Sequence, residues 1–127
     1  MTDVFLSTNK IYAITDYDHF NHDEVFNRTQ LLLRAGINLL QYRNKHSSET
    51  ESYQYATALK RLCDEFNATF IINDDISLAK KLDADGLHIG KYDINLHAAR
   101  KQLPDKIIGV SCYDDLYRVT HAQENSA

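Results

Sequence analysis

The stretch AGINLLQYRNK, Ala35–Lys45, contains the change of period that decides how this chain folds. Upstream of it, Val25, Thr29, Leu32 and Leu33 recur at helical spacing, with Asn21 as N-cap and Glu24 three residues on. Gly36 is the expected stop, because glycine readily takes the left-handed conformation that ends a helix. From Ile37 to Arg43 the chain reads as a buried strand. Side chains alternate along a strand, so Ile37, Leu39, Gln41, Arg43 and Lys45 share one face. A core-facing strand should not close in an amide and two cations, since burying an unpaired charge costs on the order of several kcal/mol or more. The pattern calls for an anion at the end of this strand.

The same alternation extends in both directions. Lys10 to Asp16 reads as strand one, and Ser48 with Glu51 forms a second capping box. That box opens a helix with the stripe Ala56, Leu59, Leu62, Cys63 and Phe66. Thr69 to Asn73 is strand three, followed by a short helix from about Ile76 to Leu82. Gly86 to Gly90 is strand four, with a helix around Asn95 to Gln102. Beyond Pro104, Lys106 to Ser111 is strand five, and a last helix starts near Asp114. Five strand-helix units in one domain, residues 1–127, imply an α/β fold with a parallel sheet. Length alone favours a five-stranded doubly wound sheet, because a complete (β/α)₈ barrel usually needs ~200 residues or more. In either architecture the ligand site lies at the carboxyl ends of the strands.

Composition narrows the function. With 43% hydrophobic and 25% charged residues and a net charge of −4, the chain is expected to be a soluble globular protein. It is not expected to bind nucleic acid or an anionic membrane in general, so an anion site must be local. No run reaches the ~18 apolar residues of a membrane span. The opening MTDVFLSTNK lacks the charged and apolar regions of a secretory leader. Cys63 and Cys112 have no metal-binding spacing and fit reduced thiols in a cytoplasmic protein.

Polar residues gather where the strands end: Asp16 after strand one, Gln41, Arg43 and Lys45 after strand two, Asn73 and Asp74 after strand three. Asp93 follows strand four and Ser111 closes strand five. Two cations and several carboxylates suit a diphosphate held with Mg²⁺, which takes one or two carboxylates together with phosphate oxygens and water. Arg43 would grip phosphate as a fork and Lys45 as a point charge. Each residue also has a plainer reading. Arg43 and Lys45 fit rim charges paired with Asp74 and Asp93, and Asp75 and Asp93 fit helix caps. His88 fits a hydrogen-bonded interior histidine. Ser111 has neither a GxSxG setting nor an evident histidine partner, which argues against a serine nucleophile. A doubly wound receiver domain would use Asp16, Asp18 and Asp74 but wants a lysine closing strand five, where Ser111-Cys112 stands.

Taken in order, IYAITD, AGINLLQYRNK, FIINDD, DADGLHIGKYD and IIGVSC resemble the thiamine-phosphate synthase/TenI superfamily. The resemblance covers essentially the whole chain and implies a (β/α)₈ TIM barrel of which about the first five βα units are present, against the expectation from length. It implies that Gln41, Arg43, Lys45, Asn73 and Ser111 bind hydroxymethylpyrimidine diphosphate, with Arg43, Lys45 and Ser111 assisting the reaction. It also implies that Asp74 and Asp93 hold Mg²⁺. The implied reaction joins the pyrimidine to thiazole phosphate with release of diphosphate. TenI-like thiazole tautomerases share the barrel but commonly lack the full Gln-x-Arg and paired Asp set, so Gln41, Asp74 and Asp93 together favour the synthase branch. Lys91 stands where the family usually has Gln, and is expected to pair with Asp93.

The family pattern continues past HAQENSA into a sixth strand and the loops for thiazole phosphate. The resemblance therefore implies a chain that works beside a complementing carboxyl-terminal chain, or a non-catalytic remnant. Self-association or aggregation is expected from side chains that later strands would bury.

Overall fold

The computed structural model describes residues 11–127, so Lys10 and the segment MTDVFLSTNK lie outside the described residues. The strands are β1 (Ala13–Ile14), β2 (Leu39–Tyr42), β3 (Thr69–Asn73), β4 (Gly86–Ile89) and β5 (Ile107–Val110). The helices are α1 (His22–Arg34), α2 (Glu49–Glu65), α3 (Ile76–Lys81), α4 (Leu96–Gln102) and α5 (Leu116–Glu124). Strand neighbours follow chain order, β1-β2-β3-β4-β5. A doubly wound sheet reverses its order at a switch point. None occurs here, so the doubly wound receiver reading is wrong and the winding is that of a barrel.

Two compact units divide the chain, one ending at Ile71 and one running Ile72–Ala127. In the first, β1 and β2 are parallel, with Ala13 opposite Leu40 and Ile14 opposite Gln41. Both expected capping boxes form, Asn21 with Glu24 and Ser48 with Glu51. Helix α1 ends where AGINLL said it should. Gly36 has φ +99°, its N–H reaches Leu33 O at 3.1 Å, and Ile37 N–H reaches Leu32 O at 3.1 Å. That pair of bonds satisfies carbonyls the helix cannot pair itself and turns the chain into β2. Helix α1 packs on α2, and α2 on β2. Val25, Thr29, Leu33, Ala56, Leu59, Leu62, Cys63 and Phe70 are buried between them. Leu32, placed on the inner stripe by its spacing, is instead 43% exposed, and Phe66 is only half-buried.

In the second unit β4 and β5 are parallel, Gly86 to Ile89 facing Ile107 to Val110. Helix α3 packs on β4 and α4 on β5. Ile72, Leu87, Ile89, Ala99 and Ile108 form the dry centre. Asp75 caps α3 as expected, accepting from Leu78 N at 2.9 Å. Asn95, not Asp93, caps α4, which releases Asp93 from the plainer role. No described helix is long and apolar enough to cross a membrane.

Candidate active site

In the first unit β2 is buried along its whole length, and Gln41 is buried at 3% exposure. Its amide donates to the Tyr12 hydroxyl at 3.2 Å, and burial raises the Tyr12 phenol above its ordinary range. Beyond Gln41 the strand is held by Thr15. The Thr15 hydroxyl donates to Arg43 O and accepts from Arg43 N, both at 2.9 Å. Tyr42 and Asn44 point the other way and build the turn into α2. Tyr42 donates to Ser52 Oγ, Asn44 donates to Tyr42 and to Ser47, and Asn44 Oδ1 receives the N–H groups of His46 and Ser47. The alternation read from QYRNK is therefore present: Tyr42 and Asn44 organise the loop, while Gln41 and Arg43 are left to the strand end.

The counter-anion beside Arg43 is Asp18, with Nη1 3.7 Å from its Oδ2, and Asp18 also makes a short contact with the His46 ring. Asp18 lies in the loop after β1, the neighbour of β2 in the sheet. Lys45 is exposed just beyond.

In the second unit Asn73 closes β3 and its amide donates to Asp74 Oδ2 at 3.3 Å. Asp74 sits in the left-handed region, φ 56°, with its N–H on His88 O at 2.8 Å. Asp93 folds back so that its Oδ2 accepts from Gly90 N. The two residues are thus tied to the same end of β4, Asp74 by its backbone at His88 and Asp93 by its carboxylate at Gly90 just past the strand. Lys91 does not pair with Asp93; its ammonium lies 5.5 Å from the Tyr92 ring. Ser111 follows β5 directly, its N–H on Ile89 O. It does have a histidine partner, contrary to the sequence reading: His88 Nε2 is 2.8 Å from its Oγ. Parallel pairing of β4 with β5 puts two residues distant in sequence side by side, which spacing does not reveal. Among the described residues no three His, Cys, Asp or Glu side chains come together as a ready metal cage.

Comparison with known proteins matches the thiamine monophosphate synthase family model over residues 11–127. The chain belongs to the thiamine monophosphate synthase family. The thiamine-phosphate synthase of Nitrosococcus oceani is 40% identical over 122 residues, covering 95% of this chain and 56% of the relative. That of Methylobacillus flagellatus is 47% identical over 107 residues, covering 84% of this chain and 51% of the relative. A solved thiamine phosphate pyrophosphorylase from Pyrococcus furiosus superposes with a TM-score of 0.84 at 30% identity, covering 93% of this chain and 56% of that one. This chain therefore spans about half the length of the family members it matches, and its five βα units follow their fold.

Two histidines are expected to make the fold sensitive to acid. His22 is stacked on Tyr55 at 4.0 Å between ring centroids, with Nδ1 2.9 Å from the Tyr17 hydroxyl. Burial lowers its pKa against the opposing pull of Asp23, and burial likewise lowers that of His88 against Asp93. Folded pKa values below the unfolded one, about 6.5, mean that the unfolded chain binds more protons as pH falls. Stability is therefore full above about pH 7 and is expected to drop as pH falls through 6.5. Thermal unfolding between pH 7.5 and 5.5 should show a falling midpoint, with a shallower slope in His22→Phe; a flat or rising midpoint refutes the assignment.

Proposed function

We propose that this chain supplies the pyrimidine-diphosphate share of a thiamine-phosphate synthase, acting as one domain of barrel type in the cytoplasm. The observation that carries this reading is positional. Gln41, Arg43, Lys45, Asn73, Asp74, Asp93 and Ser111 all stand at, or just past, the carboxyl end of a strand. Those are the residues the family resemblance assigns to one substrate and its metal.

In the reaction proposed, the bond between the pyrimidine methylene and the diphosphate oxygen breaks, and its electron pair leaves with the diphosphate. The thiazole nitrogen of the second substrate then donates its lone pair to the methylene carbon. Charge grows on the departing oxygens, so fixed donors there stabilise the transition state more than the ground state. Arg43, Lys45 and Ser111 take that role, while Gln41 and Asn73 orient the pyrimidine. Asp74 and Asp93 would hold Mg²⁺, which takes one or two carboxylates together with phosphate oxygens and water rather than a cage of protein ligands. Mg²⁺, when bound, offsets diphosphate charge. Covering partners are also proposed: Ile14, Leu31 and Leu32 in the first unit and Leu116, Tyr117 and Val119 in the second are exposed apolar side chains. Such surface suits a complementing chain that carries the remainder of the family fold; self-association is the competing outcome.

Calorimetric titration with inorganic diphosphate tests the reading. Binding is expected to require Mg²⁺ and to weaken about tenfold or more in Arg43→Ala, with Asp74→Asn losing the metal dependence. Asp18→Asn should bind several-fold more tightly, because the ligand no longer displaces the resident partner of Arg43. Equal binding with and without Mg²⁺ sinks the proposal.

A further inference from the structure

His88 lies directly across the parallel ladder from Gly109. A Cβ on Gly109 would stand 2.6 Å from His88 Nδ1, so the imidazole occupies the space a side chain there would fill. Nδ1 is buried with no hydrogen-bond partner, while Nε2 is 2.8 Å from Ser111 Oγ. That contact is the one hydrogen bond of the Ser111 side chain among the described residues.

The two neutral tautomers differ in cost. With the proton on Nδ1, a buried N–H faces Gly109 with no acceptor, an arrangement folded proteins rarely tolerate. With the proton on Nε2, that proton is donated to Ser111 Oγ and only a lone pair is left unmatched. Ser111 then accepts from the ring, and its own proton is turned toward a different acceptor. A ring already protonated at Nε2 cannot take the serine proton, so the pair is not a nucleophile and base.

We propose that His88 is a positioning residue: seated over Gly109 as the Nε2–H tautomer, it makes Ser111 a hydrogen-bond donor to an anionic ligand oxygen. The identity of that ligand as a diphosphate rests on the functional reading above. The side chain absent at Gly109 is part of the device, because it gives the ring its seat.

Two measurements on the full chain test it. Long-range ¹H–¹⁵N spectra of labelled protein, with His88 assigned by its loss in His88→Gln, should show a neutral ring protonated at Nε2. A proton on Nδ1 overturns the inference with no ligand involved. Titration with inorganic diphosphate and Mg²⁺ follows. Ser111→Ala and His88→Ala should each weaken binding about tenfold, the double variant no further, and His88→Gln should recover most of the loss through its own amide donor. Additive losses, or unchanged binding in His88→Ala, overturn the coupling; should that variant fail to fold, His88→Gln set against Ser111→Ala decides, weakening in His88→Gln equal to that in Ser111→Ala counting against it. Failure of the unsubstituted chain to bind diphosphate is instead a failure of the functional reading, and ends the inference with it.

Discussion

Arg100→Ala is expected to lower unfolding stability by about 3 kcal/mol or more. One guanidinium serves four carbonyls. Nη1 donates to Leu103 O at 3.0 Å, Pro104 O at 3.3 Å and Lys106 O at 2.6 Å, while Nη2 donates to Ser126 O at 2.6 Å. The connection from α4 to β5 contains Pro104, which has no N–H to offer, so its carbonyls depend on a side chain. Removing the fork strands several acceptors together and also frees the segment after α5. Lysine should not rescue, because a single ammonium cannot reproduce a planar fork that reaches two segments. Urea unfolding of wild type, Arg100→Ala and Arg100→Lys checks this through the midpoint at constant slope. A loss below about 1 kcal/mol in Arg100→Ala would show that water replaces the guanidinium without penalty.

Arg100 also marks where sequence reading stops. Its spacing shows only a basic residue near a helix end, whereas its work is with carbonyls up to 26 positions away. Elements whose cause is local were legible. Asn21 with Glu24, Ser48 with Glu51 and Gly36 each state a boundary within four residues, and each is found in place. Two other helix ends, read in the sequence near Phe66 and Leu82, repeat the geometry of Gly36 with no glycine to mark them. Asn67 and Asp83 take φ of 53° and 50°, and Ala68 and Ala84 close back on Cys63 O and Ala79 O. Asparagine and aspartate tolerate that conformation without announcing it. The strand-end residues were readable because polar side chains interrupt apolar strands at Gln41 and Asn73. Their partners were not: Asp18 beside Arg43 and His88 beside Ser111 depend on which strands are neighbours. The doubly wound expectation failed for the same reason, since length constrains the number of units but says nothing of their order.

Thr15→Val is expected to cost about 2 kcal/mol of stability and to weaken diphosphate binding about tenfold, although Thr15 is assigned no contact with the ligand. The substitution keeps the shape of the side chain and removes its hydroxyl. That hydroxyl is buried, 7% exposed for the residue, and both donates to and accepts from the backbone of Arg43. Thr15 N–H extends the ladder to Gln41 O at 3.0 Å, so one residue fixes the backbone on either side of Tyr42. Without the hydroxyl, the Arg43 N–H and C=O must find water or leave the ladder, and the guanidinium loses the geometry its own backbone imposes. A fork works only when its plane meets the phosphate oxygens, so a small backbone shift is felt as lost affinity. Thr15→Ser retains the hydroxyl and should bind like wild type, with a stability loss well below that of valine. Urea unfolding and diphosphate calorimetry on the three proteins separate the effects. Loss of stability with affinity intact in Thr15→Val would mean that Arg43 finds the anion without guidance from its strand, and that the clamp serves the fold alone.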